Sequence, residues 1–407
     1  MIAKKIIGYS IIICMIVLLW FINSITQLNW HLSIIAFFEI TVLFIVGIIL
    51  GKKEYKYYDD YHPFVSVVVA AKDEENVIED TIRSIEDSKY NDFEIIVIDD
   101  GSVDSEPEIL DRLSKEFMNL KVIHVPKEES HGKAAALNRA FKIMKGEIVL
   151  ILDADNRIPQ EYIKDVVKLM KSSHIGAVQT AIRVYNERQG FIPLAYDTDQ
   201  IVSNVLSSRS LFPPRSFGMG IFMKRNAIEK IFPLNEKTIS EDQQITEGID
   251  KAGYKIICFA RNPVYELAPE HFHVMWNQRL RWFKGALMES LKGSVTGFSL
   301  YAFLILAVDF GLLDLVTGNI SNLFGISCLS IIAILLYILI HFREEMKIDR
   351  IPQRFISLMC VYFINVLIWS YSLLISPALL NKPLEWYKTP KGGKRDVEGI
   401  HRDTSVQ

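Results

Sequence analysis

Residues 65–76 read Val-Ser-Val-Val-Val-Ala-Ala-Lys-Asp-Glu-Glu-Asn, an apolar run of strand length that ends in a cluster of charged side chains. Two later runs end in the same way: Phe93–Ile98 leads into Asp99-Asp100-Gly101-Ser102, and Ile148–Leu152 leads into Asp153-Ala154-Asp155. Runs without polar alternation are typical of strands whose two faces are both covered. The pattern therefore predicts an α/β fold with a mostly parallel sheet and flanking helices.

Segments with the apolar spacing of helices lie between several of these runs. The predicted strands are Val65–Ala71, Phe93–Ile98, Lys121–Val125 and Ile148–Leu152, and the predicted helices are Glu74–Ile85, Ala134–Met144 and Gln160–Met170. In open parallel sheets, ligands bind beyond the carboxyl ends of the strands. Three polar clusters at strand ends therefore indicate one binding site.

Asp153 and Asp155 stand two residues apart at such a strand end, where both carboxylates can approach one hard cation. A divalent ion held there would bridge diphosphate oxygens and stabilise the charge on a departing nucleoside diphosphate. A capped turn is the alternative, because Asp-x-Asp alone is a weak signal.

Asp100 and Lys133 each admit a functional and a structural interpretation. A carboxylate of the Asp99-Asp100 pair could accept hydrogen bonds from a nucleobase or ribose, or the motif could be an ordinary Asp-Gly turn. Lys133 opens a predicted helix, where a cation opposes the helix dipole and requires an anionic partner, either a phosphate or a nearby Asp. A solvated surface lysine is the alternative.

Two later motifs are also ambiguous when taken alone. Asp242, after Glu241, could cap a helix or remove a proton from an attacking hydroxyl. Gln278-Arg279-Leu280-Arg281-Trp282 lies on an amphipathic segment from His273 to Lys292. Its Arg and Trp side chains could be anchors at a membrane interface, or they could bind phosphate and stack on a sugar ring.

Long apolar runs at both ends of the 407-residue chain predict a membrane protein. Ile6–Ile25 and Leu32–Leu50 are each long enough to cross about 30 Å of hydrocarbon, and we interpret them as a helical hairpin rather than a signal peptide. Lysines flank the hairpin, and its connection at residues 26–31 has no Lys or Arg. The positive-inside bias therefore predicts that the central domain is cytoplasmic.

Charge and cysteine content exclude several classes of function. The net charge is −3 and no basic stripe stands out, so we expect no nucleic-acid partner. The four cysteines are scattered without metal-ligand spacing, so we expect neither disulfides nor a zinc site.

Taken in order, these motifs resemble the family 2 glycosyltransferases, in particular the membrane-bound branch that contains cellulose, hyaluronan and poly-N-acetylglucosamine synthases. The similarity covers roughly residues 64 to 292, with Lys72-Asp73 replacing the usual Tyr-Asn of the first loop. A short tail segment, Trp386–Thr389, is similar to a motif of hyaluronan synthases. The resemblance implies a cytoplasmic GT-A-type, Rossmann-like domain joined to interfacial and transmembrane helices.

The resemblance also implies a role for each matched residue. Asp242 would be the general base, and a divalent cofactor, Mg²⁺ or Mn²⁺, would be bound by Asp155 with Asp153. The implied donor-binding residues are Glu74, Asp100, Lys133, Asp153, Gln278 and Arg281. The implied acceptor-binding residues are Gly218, Met219, Gly220, Glu241 and Trp282.

The expected reaction is inverting transfer from a UDP-sugar to the end of a growing β-linked polysaccharide, coupled to export. UDP-N-acetylglucosamine is the first-choice donor and UDP-glucose the second. One alternative is a single transfer to a membrane lipid. A transporter or scaffold with a degenerate transferase domain is the non-enzyme alternative. The expected location is the plasma membrane, and a small accessory membrane subunit could accompany the chain.

The expected division comprises an N-terminal transmembrane hairpin (1–51), a cytoplasmic glycosyltransferase domain (52–269), an interfacial helix with the Gln-x-x-Arg-Trp motif (270–293), a C-terminal transmembrane region (294–381) and a polar tail (382–407). The C-terminal candidate spans are Val295–Val316, Ile320–His341 and Phe355–Leu380. Three crossings would place the tail outside, whereas its basic residues favour the cytoplasm. Asp309 and Asp314 in the first candidate could line a polymer passage.

Overall fold

The computed structural model describes residues 56–209, 218–236, 241–291, 332 and 334–374. The internal contacts divide the chain into two compact units. The first, called the sheet unit below, takes in the described residues up to Arg281 together with Phe342–Val361. Among the described residues, the second unit takes in those at 282–291, 332, 334–341 and 362–374.

The strands of the sheet unit are β1 (Val65–Ala71), β2 (Phe93–Asp99), β3 (Leu120–His124), β4 (Ile148–Asp153), β5 (Ile175–Val184), β6 (Ile221–Lys224) and β7 (Lys255–Glu266). The named helices are α1 (Ile78–Glu86), α2 (Glu106–Glu116), α3 (Lys133–Ile143), α4 (Tyr162–Val167), α5 (Phe191–Ser208), α6 (Arg225–Ile228), α7 (Glu241–Lys251), α8 (Phe272–Leu291) and α9 (Ile351–Leu374). The last two helices continue from the sheet unit into the second unit.

In the described part of the chain the strands form one seven-stranded sheet in the order β3-β2-β1-β4-β6-β5-β7. β1, β2, β3 and β4 are parallel to their neighbours in this group, and β5 is parallel to β7. Short β6 runs antiparallel to both β4 and β5. The mostly parallel sheet predicted from the sequence is therefore confirmed, but only β1 to β4 were predicted, and β5, β7 and the antiparallel β6 were not.

The apolar runs form strands because helices cover both faces of the sheet. On one face, Ile78, Ile82 and Ile85 of α1 pack with the β1, β2 and β4 side chains. Their spacing places them on one side of the helix. The opposite face is covered by α3 and α7, with Leu137 and Ile245 in the core. All seven residues of β2 are buried, as a central strand without polar alternation requires.

Helix α1 begins at Ile78, later than the predicted start at Glu74. The preceding backbone is held by side chains of the neighbouring loop: the Asp73 N–H donates to Ser102 Oγ, and the Glu74 N–H donates to Glu106 Oε2. These contacts use the backbone donors in a non-helical loop, with Asp73 at a φ of 52°. The loop therefore displaces the helix start.

The predicted membrane segments fall largely outside the described residues, including the N-terminal hairpin and the candidate span Val295–Val316. In the part of the chain that the structure describes, no helix is long and apolar enough to cross a membrane. The predicted span Phe355–Leu380 overlaps α9, which starts earlier, at Ile351. Its residues through Val361 belong to the sheet unit.

Candidate active site

The loops after β1 and β2 are fastened together by a buried carboxylate, Glu106, at the start of α2. Its Oε2 accepts from the Glu74 N–H at 2.7 Å, and its Oε1 accepts from Ser102 Oγ at 3.1 Å. Burial, aided by the charges of Asp99 and Asp104, raises the pKa of Glu106 to about 7, against the opposing effect of these hydrogen bonds. Sequence reasoning missed Glu106, although an acidic residue in the first turn of α2 was a visible signal.

Asp100 joins the end of β2 to the start of α3. Its Oδ2 accepts from Ser130 Oγ and from the Gly132 N–H, both at 2.8 Å. Its Oδ1 is buried and has no hydrogen-bond partner among the residues that the structure describes. The turn interpretation also holds, because Gly101 has a φ of 79° and an added Cβ would lie 2.9 Å from the Lys127 Cα. The turn thus presents one unsatisfied carboxylate oxygen for a ligand.

Lys133 is the first residue of α3, and its ammonium group finds acceptors on three other segments. Nζ donates to Asp153 Oδ1 at 2.6 Å and to the Gly218 carbonyl at 2.8 Å, and it lies 3.2 Å from Glu241 Oε1. Burial alone would lower the pKa of Lys133, but the two carboxylates outweigh it and raise this pKa above its ordinary value. The anionic partner that the sequence required is therefore present within the protein.

Asp153 and Asp155 have different surroundings although they are close in sequence. Asp153, at the end of β4, pairs with Lys133, and its backbone N–H donates to Asn156 Oδ1 at 2.9 Å. Asp155 is buried, with Oδ2 accepting from the Leu267 N–H at 3.3 Å. Within the described residues there is no group of three or more His, Cys, Asp or Glu side chains that could hold a metal ion. The assignment of a divalent ion to Asp155 and Asp153 stays a prediction.

The Gly218-Met219-Gly220 loop approaches both Lys133 and the start of α7. A Cβ added to Gly218 would lie 3.3 Å from Glu241 Oε1 and 3.7 Å from the Asp242 Cβ. Met219 is held from the other side, because buried Asn156 donates from Nδ2 to its sulfur at 3.3 Å. Asn156 was not identified from the sequence, since an Asn after Asp-x-Asp looks like turn chemistry.

Helix α8 brings two further predicted residues to the sheet unit. Burial lowers the pKa of Arg281, while the negative charges of Glu241, Asp153 and Asp242 act in the opposite direction. The side-chain Oε1 of Gln278 is buried and lacks a hydrogen-bond partner within the described part of the chain. Trp282 lies in the second unit, with 39% of its surface exposed.

Arg279 has a different role from its neighbours on α8. Its guanidinium pairs with Asp199 of α5 at 2.6 Å and lies over the Tyr196 ring at 5.4 Å. Arg279 therefore fastens α8 to α5.

The structure brings together Lys133, Asp153, Gly218, Glu241 and Asp242 around one position. The negative charges of the three acids also oppose the lowering of the pKa of Arg281 by burial. Glu74 and Asp100 stand at the ends of β1 and β2, and Asp100 is bonded to the residue before Lys133. The roles assigned to each residue remain predictions.

Comparison with known proteins supports this picture at the level of the family. Residues 66–232 match the model named Glycosyl transferase family 2. A β-monoglucosyldiacylglycerol synthase from Trichormus variabilis is 30% identical over 56% of this chain and 50% of its own length. A poly-β-1,6-N-acetyl-D-glucosamine synthase from Staphylococcus aureus is 28% identical over 54% of each chain. The chain thus spans about half the length of these relatives.

A solved structure with the same fold is the mannosyltransferase PcManGT from Pyrobaculum calidifontis, determined with GDP-mannose and Mn²⁺. It has 21% sequence identity and a TM-score of 0.58, and the likeness covers 85% of this chain and 98% of the mannosyltransferase. The fold is therefore of the GT-A type that the sequence predicted. The motifs, the sheet and these relatives all make residues 66–232 similar to glycosyl transferase family 2 domains.

Proposed function

We propose that the chain is an inverting, metal-dependent glycosyltransferase that takes its sugar from a UDP-sugar. The proposal rests on one cluster of opposite charges. Lys133 pairs with Asp153 and Glu241, and the carboxylates of Asp153, Glu241 and Asp242 act electrostatically on Arg281. Fixed cations are what a diphosphate requires, and a carboxylate is what removal of an acceptor proton requires. One cluster at the carboxyl ends of the strands supplies both.

The nucleoside part of the donor fits the ends of β1 and β2. Asp100 Oδ1, buried and without a partner, would accept a hydrogen bond from the uracil ring or a ribose hydroxyl. Glu74 stands in the adjoining loop, whose backbone Glu106 fixes. On the diphosphate side, Arg281 offers a planar guanidinium that can bind two phosphate oxygens.

Asp155 and Asp153 would hold Mg²⁺ or Mn²⁺ together with oxygens of the diphosphate. Two carboxylates suffice in this arrangement, because Mg²⁺ is commonly bound by one or two carboxylates and by substrate phosphates rather than by a cage of protein ligands. When bound, the ion would stabilise the negative charge that develops on departing UDP. Lys133 already neutralises part of the acidic cluster from the protein side.

Asp242 would act as the general base. Its carboxylate takes the proton of the acceptor hydroxyl while that oxygen forms a bond to the anomeric carbon and the bond to UDP breaks. Attack from the face opposite UDP inverts the configuration, which gives a β-linked product from an α-linked donor. Gly218 lies beside Asp242, and the acceptor sugar would approach the base along this loop.

For the acceptor we favour a growing polysaccharide with UDP-N-acetylglucosamine as donor, which the similarity to the Staphylococcus synthase supports. Single transfer of glucose to a membrane lipid is the second candidate, favoured by the 30% identity to a β-monoglucosyldiacylglycerol synthase. The apolar runs at both chain ends would keep either product at the membrane, with the sheet unit on the cytoplasmic side.

The product distinguishes the two candidates. Membranes containing the chain are incubated with radiolabelled UDP-N-acetylglucosamine or UDP-glucose and Mg²⁺, and products are separated by solvent extraction and by size. Label in a large water-soluble polymer supports the first candidate. A labelled monosaccharide found only in the lipid extract would replace it with the second.

Asp242→Asn tests the base. We expect kcat to fall by at least about 100-fold, because general-base catalysis contributes on this order, while UDP still binds. Asp250→Asn is the matched control, an exposed carboxylate on the same helix, and it should retain activity. Turnover by Asp242→Asn at the rate of the control would assign the base to another residue.

A further inference from the structure

A segment distant in sequence is built into the sheet unit. Phe342–Arg354, called the docking segment below, follows the apolar run Ile320–His341 and ends in the first turn of α9. It packs with the transferase residues in the same compact unit. Phe342, Met346 and Ile348 are buried. Its side chains and backbone form hydrogen bonds with β5, with α5 and with the turn that joins them.

The centre of this contact is Asp197 of α5, whose side chain is fully buried. Its carboxylate accepts from Arg183 Nε at 2.7 Å and from Arg354 at 2.7 Å. Arg354 is itself only 1% exposed, and it also donates to the carbonyl and carboxylate of Asp349. The two guanidinium groups hold the pKa of Asp197 below its ordinary value despite burial. A charged cluster of this kind fixes one geometry, since any displacement leaves a buried charge unpaired.

Further polar contacts surround this centre. Arg183 donates to the Met346 carbonyl at 2.6 Å. Arg209, at the end of α5, pairs with Glu345 at 2.9 Å and lies over the Phe342 ring at 4.7 Å. The contact thus extends along the docking segment.

Helix α5 also contacts α8, the helix on which Gln278 and Arg281 lie. Two residues after Asp197, Asp199 pairs with Arg279 of α8 at 2.6 Å, and the Tyr196 ring lies beneath that guanidinium. Helix α5 therefore contacts the docking segment through Asp197 and α8 through Asp199. A helix transmits a displacement over so short a distance because its backbone is rigid.

We propose that Arg354 is a positioning residue: through Asp197 and α5, the docking segment fixes the part of α8 that places Gln278 and Arg281 at the donor diphosphate. The inference rests on the proposed function, because it assigns these two side chains to the donor. It adds a residue outside the candidate active site, Arg354, which would affect donor binding through the Asp199–Arg279 pair.

Arg354→Met in the full chain is the decisive variant, because Asp197 keeps the bidentate Arg183 and is not left unpaired. We expect the Kd for UDP, titrated with Mg²⁺ present, and the KM for the donor to rise at least five-fold in folded protein. Arg354→Lys, which keeps the charge, should recover part of the affinity. The control is Arg188→Gln, which removes an exposed Arg that pairs with the docking segment at Asp349. It should bind UDP as the unaltered chain does.

A second pair of variants applies even if Arg354→Met fails to fold. Asp199→Asn should also weaken UDP binding, and its effect should not add to that of Arg354→Lys, since both changes reach α8 through helix α5. Unaltered UDP affinity in folded Arg354→Met, or additive effects of Arg354→Lys and Asp199→Asn, would overturn the proposal. The proposed function would fail separately, if the unaltered chain bound no UDP and transferred no sugar.

Discussion

At Lys133, one ammonium group neutralises carboxylates from two different elements. Asp153 comes from β4 and Glu241 from α7, and the third acceptor, the Gly218 carbonyl, comes from the intervening loop. All three N–H donors of the ammonium thus have acceptors in the protein. Direct binding of a donor phosphate by Lys133 would therefore require one of these contacts to be released.

Glu106 should make the free energy of unfolding depend on pH. Its pKa of about 7 in the folded chain lies above the ordinary 4.5, so the folded state binds more protons than the unfolded state between these values. The free energy of unfolding should therefore fall as the pH rises from 4.5 to 7, by up to about 3 kcal/mol from this group. In Glu106→Gln this component should disappear.

The measurement is chemical unfolding of the purified chain and of Glu106→Gln at several pH values, with the difference between the two plotted against pH. Asp165 and Glu86 also have raised pKa values, and because both proteins contain them their contribution cancels in the difference. A difference that stays constant from pH 4.5 to 7 would show that Glu106 does not titrate in this window.

Among the elements, the Gly218-Met219-Gly220 loop is closely restricted by its surroundings. Gly220 has a φ of 61°, and an added Cβ would lie 2.7 Å from both Thr180 Oγ1 and Val264 Cγ1. Gly253 has a similar φ of 84° but nothing within 4 Å of the added atom. Both would carry the backbone penalty of the left-handed region, about 1 kcal/mol, and Gly220 alone would add steric overlap of about 1–3 kcal/mol.

Gly220→Ala should therefore lower the free energy of unfolding by about 2–4 kcal/mol, and Gly253→Ala by about 1 kcal/mol. Urea unfolding of the two variants beside the unaltered chain measures both losses. Equal losses would mean that the sheet adjusts to the extra methyl group without cost. The close packing of Gly220 against β5 and β7 would then not restrict the conformation of this loop.

Local patterns determined which elements could be predicted. The strands β1 to β4 and the clusters at their ends follow from continuous apolar runs that stop at charged residues. Strand β6, only four residues long, carries no periodicity and forms because Gly220 and its neighbours pair between β4 and β5. Its direction depends on the whole sheet.

The residues that were missed depend on partners distant in sequence. Glu106 is buried because two loops close over it, and Arg354 is buried because Asp197 faces it from another helix. An Arg between two apolar runs gave no sign of burial, since long charged side chains are almost always exposed when unpaired. Side chains such as Asp242 were identified because their motif is contiguous in sequence.

At the scale of the whole molecule, the docking segment restricts how the chain can pass through a membrane. Phe342–Val361 belongs to the sheet unit, so the residues that follow the apolar run Ile320–His341 and the start of α9 lie in the same compact unit as the seven-stranded sheet. If the runs at 295–316 and 320–341 both cross the bilayer, the chain returns to the side from which it left at Arg281. We therefore predict an even number of crossings between Arg281 and Phe342.

Cysteine labelling in cells tests this arrangement. Glu344→Cys, an exposed position on the docking segment, is introduced into a chain whose four native cysteines are replaced by serine. Met118→Cys, 97% exposed on the sheet unit, is the matched control. Because both positions belong to one compact unit, a membrane-impermeant maleimide should label neither in intact cells and both after permeabilisation. Labelling of Glu344→Cys alone in intact cells would place the docking segment across the membrane from the transferase, and the contact between Arg354 and Asp197 could not form.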